Sequence, residues 1–160
     1  MTQDNFETIY NEVRDKHVVV YGSKESIEKL MSRDDDFFEK DTDFASIHNE
    51  DLTDHNSYFE LIYGGENRAY NTNLIGDYNV ENIVAAIISS LLIGIPNDQI
   101  RSSIRDVYVP GRLQVYHWKD RTFMIDYAHN YISMYRLYEM VKKTMKPKSI
   151  TVVFGCGGER

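Results

Sequence analysis

The sequence predicts an α/β fold, and three stretches predict it. His17 to Tyr21 (HVVVY) runs into Gly22-Ser23 and a helical segment, which is a strand–turn–helix unit. A hairpin over Tyr58 to Thr72 delivers the chain to a long apolar helix, and Thr122 to Phe154 reads strand, helix, strand. The chain has 160 residues, enough for one domain or parts of two, and 42% of them are hydrophobic, which suffices for a core.

In chain order, Phe6, Ile9, Tyr10 and Val13 stand at helical spacing and predict a short amphipathic helix over residues 1 to 16. The β-branched run His17 to Tyr21 predicts a buried strand, and Ser23 the N-cap of a helix reaching Met31. Asp34, Asp35, Asp36, Asp41 and Asp43 lack the alternate-residue spacing and glycine of a calcium loop, so they read as a solvated acidic turn. His48 and His55 lie in a polar stretch without a Cys or a close second His, and read as surface residues. In Tyr58 to Tyr63, Phe59, Leu61 and Tyr63 alternate onto one face, and Gly64-Gly65-Glu66-Asn67 turns the chain into a strand ending near Thr72.

From Ile83 to Ile93 every residue is apolar or small, which predicts a helix buried on nearly all sides. It is too short to cross a bilayer, which takes about 20 residues. Asn79 and Asn82 stand three apart at its start, on one face. Their amides offer both donors and acceptors, as reading a purine edge requires; the same spacing equally allows one of them to cap the helix. Gly94 stops the helix, and Asn97 is expected to cap a short one carrying Ile100 and Ile104. Val109-Pro110-Gly111-Arg112 breaks the pattern and marks a domain boundary or hinge.

Leu113 to Trp118 and Thr122 to Ile125 form a strand pair around Lys119-Asp120, followed by Asp126-Tyr127-Ala128-His129. Asn130 caps a helix running to about Met145, and Ser149 to Phe154 reads as a second apolar strand, so a parallel βαβ unit is expected. Ligands of open parallel sheets bind beyond the carboxyl ends of the strands, where Asp126 and Gly155-Cys156-Gly157-Gly158 fall. An aspartate there accepts hydrogen bonds from ribose hydroxyls. The glycine loop lacks the full dinucleotide fingerprint, and Cys156 has no activating base and reads as a packed thiol.

The balance of 25 acidic against 18 basic residues, net charge −7, argues against a nucleic-acid or anionic-membrane partner. One cysteine, no signal peptide and no apolar span predict a cytoplasmic protein without disulfides.

Three motifs in order, Leu74 to Arg112, Asp126 to His129, and Val152 to Arg160 (VVFGCGGER), resemble the Mur ligase family. Within it the likeness is strongest to the tripeptide synthetases, which add the third amino acid of a peptidoglycan precursor. It runs from about residue 43 to 160. The resemblance implies that residues 1–110 are the later part of the family's central ATPase domain, and residues 111–160 the start of its Rossmann-like C-terminal ligase domain. It implies contacts from Asn79 and Asn82 to adenine, from Arg112 to the nucleotide phosphates and from Asp126 to the ribose; His129 is either a ligand contact or a brace for its loop. ATP and Mg2+ are the implied cofactors, and a UDP-N-acetylmuramoyl-peptide and an amino acid the implied substrates.

Asn130 departs from the Thr-Pro usual after this tetrad, and Asp-Tyr-Ala-His-Asn is also similar to cyanophycin and folylpolyglutamate synthetases. Asp77 stands where a basic residue is frequent. No Gly-x-x-x-x-Gly-Lys-Ser/Thr loop is present to hold ATP phosphates. The expectation is therefore a partial or degenerate copy of an ATP-dependent amide-bond ligase, inactive alone. The alternative is a non-catalytic nucleotide-binding or protein-interaction module, with self-association through uncovered sheet edges.

Overall fold

The computed structural model describes residues 18–32 and 42–155, with positions 8, 11 and 38. Of the helix expected over residues 1 to 16, Thr8 and Asn11 alone are described, both helical; Asp34 to Asp36, Asp41 and the loop from Cys156 onward lie outside the described residues.

Strand β1 (Val19–Ser23) leads into helix α1 (Lys24–Met31), whose N-cap is Ser23; its side chain accepts from the Ser26 amide at 3.3 Å. The chain returns as β2 (Asp43–Leu52), parallel to β1, so strand, helix and parallel strand do occur, at the N-terminal end. β3 (Ser57–Tyr63) and β4 (Glu66–Thr72) add antiparallel neighbours, giving the order β1-β2-β3-β4. Gly64 and Gly65, at φ +61° and +76°, make the two-residue turn, a conformation costly for any side chain with a Cβ.

β2 corrects the sequence reading, which left this stretch without a strand and placed His48 on the surface. Ala45 and Ile47 are buried, and His48 is half-buried within the strand, its Nε2 2.8 Å from Ser46 Oγ. The pairing then shifts: His48 faces Glu60 but Asp51 faces Tyr58, and Asn49 sits at φ 49°. This bulge puts an extra residue into the strand and breaks the two-residue alternation.

Helix α2 (Asp77–Leu92) lies on the sheet, with α3 (Asn97–Arg105) beside it. The core joins Ala45, Ile47, Phe59, Leu61 and Tyr70 of the sheet to Val80, Ile83, Val84, Ile87 and Ile88 of α2 and to Ile100 and Ile104 of α3. A fully buried side chain such as Phe59, Leu61 or Ile87 contributes about 1.5–3 kcal/mol. α2 is not enclosed as expected: its buried pairs recur every four residues, Ala86 and Leu92 are exposed, and Ile93 beyond it is 77% exposed. Asn97 corrects a second expectation. It does not cap α3, which starts after Pro96; its Oδ1 accepts from the Tyr70 hydroxyl at 2.7 Å and pins β4 to the helix.

A turn through Gly111 (φ +70°) leads to β5 (Gln114–Trp118) and β6 (Arg121–Ile125), an antiparallel pair. Helix α4 (Tyr131–Met140) follows and ends in a π-helical turn, Val141–Met145. Its cap is as expected: Asn130 accepts from the Ser133 amide at 2.9 Å, and the Ser133 hydroxyl closes a capping box. Ile75, Leu113 and Met140 form a second, smaller buried cluster.

The second parallel strand is absent among the described residues: Ser149 to Gly155 is irregular, and Val153 is 94% exposed. Parallel pairing persists where both sheet faces are covered. The β5–β6 pair instead leaves Tyr116, Trp118, Phe123 and Ile125 exposed, so it offers this segment no interior to enter.

Candidate functional site

Two separate parts of the chain meet in a cleft of about 510 Å³. Tyr78, from the first turn of α2, forms one wall; Arg112, Asp126, Asn130, Tyr131, Ile132, Ser133 and Arg136 form the rest. Of the residues expected at the site, the structure brings Arg112 and Asp126 together here. Asn79, Asn82 and His129 do not line this cleft.

Asp126 stands at the end of β6, and each carboxylate oxygen is already engaged. One accepts from the Leu113 amide at 3.0 Å, the other from the Ala128 amide at 2.8 Å. The carboxylate therefore ties the entry of β5 to the loop after β6, and its remaining lone pairs are available to a ligand. The Arg112 guanidinium lies over the Tyr127 ring, 5.2 Å from its centroid, and the side chain is exposed. Arg136 is ion-paired to Glu81 of α2 at 3.5 Å across the cleft, a half-exposed pair contributing at most about 1 kcal/mol.

Tyr78 is held by close packing. The backbone at Gly76 has φ +92°, and a Cβ there would meet Met140 Cγ and Tyr78 Cε1, each at 3.3 Å. The Tyr78 hydroxyl is buried and has no hydrogen-bond partner among the described residues. Burial, then the negative charges of Asp126 and Asp77, push its pKa far above the usual tyrosine value, against the opposing pull of Arg112. The phenol is thus a donor at neutral pH.

Asn79 is 5% exposed, and its amide donates to the Ile75 carbonyl at 2.8 Å. It braces the entry to α2 without capping it: the N-cap is Gly76, which makes no side-chain cap hydrogen bond. Asn82 is exposed one turn later. Asp77 accepts from the Tyr78 amide at 2.8 Å, placing a carboxylate on the helix N-terminus where an anion would otherwise find a donor. The His129 ring supports its own loop, with Nδ1 3.0 Å from the Tyr127 carbonyl. Among the described residues, no three His, Cys, Asp or Glu side chains converge to hold a metal ion, and no helix is long and apolar enough to cross a membrane.

Sequence reasoning missed Tyr78, Tyr131, Ile132, Ser133 and Arg136 as cleft residues. The signal was present in the spacing: once Asn130 is read as a cap, Ile132, Ser133 and Arg136 fall on one face of the helix it starts.

Residues 111–160 match the family model described as Mur ligase, glutamate ligase domain. The chain is homologous to Mur ligases over part of their length. It is 34% identical over 143 residues to the UDP-N-acetylmuramoyl-L-alanyl-D-glutamate–2,6-diaminopimelate ligase of Aquifex aeolicus, covering 89% of this chain and 26% of that protein. To the UDP-N-acetylmuramyl-tripeptide synthetase of Limosilactobacillus reuteri it is 36% identical, covering 69% of this chain and 23% of the relative. The chain thus spans about a quarter of the curated Mur ligases it matches. Among solved structures, MurF from Acinetobacter baumannii superposes with a TM-score of 0.61 at 17% identity, over 86% of this chain and 32% of MurF. A 2,6-diaminopimelate ligase superposes over all of this chain and 36% of its own, with a TM-score of 0.57 and 21% identity. The mixed α/β fold is that of Mur ligase domains.

Proposed function

We propose that this chain supplies the adenosine-holding part of an ATP-dependent, Mur-type amide ligase acting on a UDP-N-acetylmuramoyl-peptide in peptidoglycan precursor synthesis, and that it turns over no ATP by itself. The observation carrying this reading is the cleft, which gathers Tyr78, Arg112 and Asp126 from either side of the Pro110-Gly111 turn. A cleft of about 510 Å³ lies within the range of nucleotide-sized sites. Arg112 offers an exposed cation for a phosphate and Asp126 an acceptor for a sugar hydroxyl, and Tyr78 closes the wall beside them. The domain boundary of this reading falls at 110/111. Asn79 supports the site by fixing the start of α2, whose first turn carries Tyr78. ATP and magnesium would supply the phosphoryl chemistry when bound, the magnesium held by the nucleotide phosphates with one or two carboxylates.

NMR titration of the 160-residue chain with ATP tests the reading. The expected result is weak binding, with shifts centred on Tyr78, Asp126 and Ser133, a several-fold loss in Arg112→Ala, and no ATP-dependent turnover. A folded chain whose spectrum ATP leaves unchanged would remove the nucleotide reading; turnover by the chain alone would remove the claim of inactivity.

A second reading is supported by a different observation. Tyr116, Trp118, Phe123 and Ile125 expose apolar surface on one two-stranded sheet, as a protein-interaction module would. On that reading the chain self-associates with rising concentration, and ATP is without effect on its mass.

A further inference from the structure

The turn between α3 and β5 joins the two parts of the chain that form the cleft, and every nitrogen in it is fixed. The Pro110 ring sets its own φ, and the next three amides are all engaged. The Gly111 N–H donates to Gln114 Oε1 at 2.9 Å, the Arg112 N–H to the Val109 carbonyl at 3.1 Å, and the Leu113 N–H to Asp126 Oδ2 at 3.0 Å. Gln114 grips the turn a second time, its Nε2 donating to the Tyr108 hydroxyl at 2.6 Å. A backbone N–H can only donate, so the Gly111 contact fixes which end of the amide accepts and leaves the NH2 group for Tyr108. Gly111 and Leu113 lie at φ +70° and +42°, and a Cβ at Gly111 would meet open space. Glycine is there for its backbone shape alone, and leucine holds the same left-handed shape only with outside support.

We propose that Gln114 is a positioning residue: its amide clasps residues 108–111 against the start of β5, makes the link a rigid elbow, and so holds Arg112 at the cleft. The Asp126 carboxylate secures the other side of the elbow through Leu113. A link with free amides would sample many directions, and Arg112, an exposed side chain, would face a ligand only part of the time. Fixing its backbone beforehand removes that ordering cost from binding. The benefit to Arg112 rests on the nucleotide reading above; the rigidity of the elbow stands without it. The Tyr108 arm of the clasp is exposed and the Gly111 arm half-buried, so single substitutions release it without opening either core.

The test compares backbone residual dipolar couplings of α2 and α4 in wild type, Gln114→Leu, Gln114→Glu and Tyr108→Phe, with ADP titrations of wild type and Gln114→Leu. In wild type the two helices are expected to fit one alignment frame. Gln114→Leu keeps the bulk and loses both bonds; it is expected to shrink the α4 couplings relative to those of α2 and to weaken ADP binding about threefold. Gln114→Glu is expected to restore the wild-type couplings at pH 7, because its carboxylate accepts from both the Gly111 N–H and the Tyr108 O–H. Tyr108→Phe, which loses one arm, is expected to fall between. Wild-type couplings in Gln114→Leu, or a Gln114→Glu chain as loose as Gln114→Leu, would overturn the elbow. Should Gln114→Leu fail to fold, Tyr108→Phe decides, and wild-type couplings there would overturn it. An unchanged ADP affinity in a loosened Gln114→Leu would overturn the positioning of Arg112. Absence of ADP binding to wild type would remove the nucleotide reading and the role of Arg112, and the couplings would still decide the elbow.

Discussion

At the scale of single residues, Asp126 shows how a cleft-lining group is also a structural one. Its carboxylate accepts from the Leu113 and Ala128 amides, and Leu113 itself is held at φ 42°, a conformation that a leucine adopts only under constraint. Removing the carboxylate leaves two backbone donors without their partner. Asp126→Ala is expected to lower stability by about 2 kcal/mol in urea unfolding, since each hydrogen bond to a charged group is worth about 1.5–3 kcal/mol when well buried and Asp126 is only half-buried. Unchanged stability would show that water replaces the carboxylate at no cost. Asn79 follows the same logic. Sequence alone allowed its amide to read a base or to cap the helix, and the structure shows a third use, a bond to the Ile75 carbonyl before the helix starts. No spacing rule distinguishes these outcomes, because all three need the same side chain at the same turn.

At the scale of elements, legibility follows local chemistry. The Gly64-Gly65 hairpin, the Asn130 cap and the β5–β6 pair were readable, because each is specified by residues within a few positions of one another. β2 was not, because the bulge at Asn49 interrupts its alternation and its polar residues match a loop. Its partner strand makes sense of those polar residues. Glu60 on β3 accepts from Asn67 of β4 at 2.9 Å, from Asn49 at the bulge at 3.0 Å and from Tyr58 at 3.1 Å. These donors, Asn67 foremost, hold its pKa below the usual carboxylate value. A carboxylate depressed in the folded state stabilises the fold above its unfolded pKa of about 4.3, and that stabilisation disappears as pH falls through the depressed value. Glu60→Gln is therefore expected to lower the urea midpoint at pH 7 while flattening the decline of stability between pH 5 and pH 3. A wild-type acid limb unchanged in Glu60→Gln would show that the three donors bond as well to an amide as to a carboxylate.

At the scale of the whole molecule, the cleft is a seam between a large core and a small one. The sheet, α2 and α3 share the large cluster, while β5, β6 and α4 join them mainly through Ile75, Leu113 and Met140 and the exposed Arg136–Glu81 pair. The missing second parallel strand has the same origin: the apolar run at Ser149 to Phe154 was legible, but a strand also needs a covered edge and two covered faces, which depend on surroundings its own residues do not encode. An uneven distribution of buried surface implies uneven opening, with the small unit loosening before the large one. In native-state hydrogen exchange, the amides of α4 are expected to exchange faster than those of α2 around Val84 and Ile87. Met140 is the discriminating position, being 6% exposed and packed against both Gly76 and the Tyr78 side of the cleft. Met140→Ala is expected to destabilise by about 2 kcal/mol. The loss falls on the small unit: α4 exchange accelerates, the α2 core amides hold their wild-type rates, and nucleotide affinity drops although no cleft-lining side chain has changed. Equal acceleration in both helices would mean that the two clusters unfold as one cooperative body and that the seam has no independent motion through which the cleft opens.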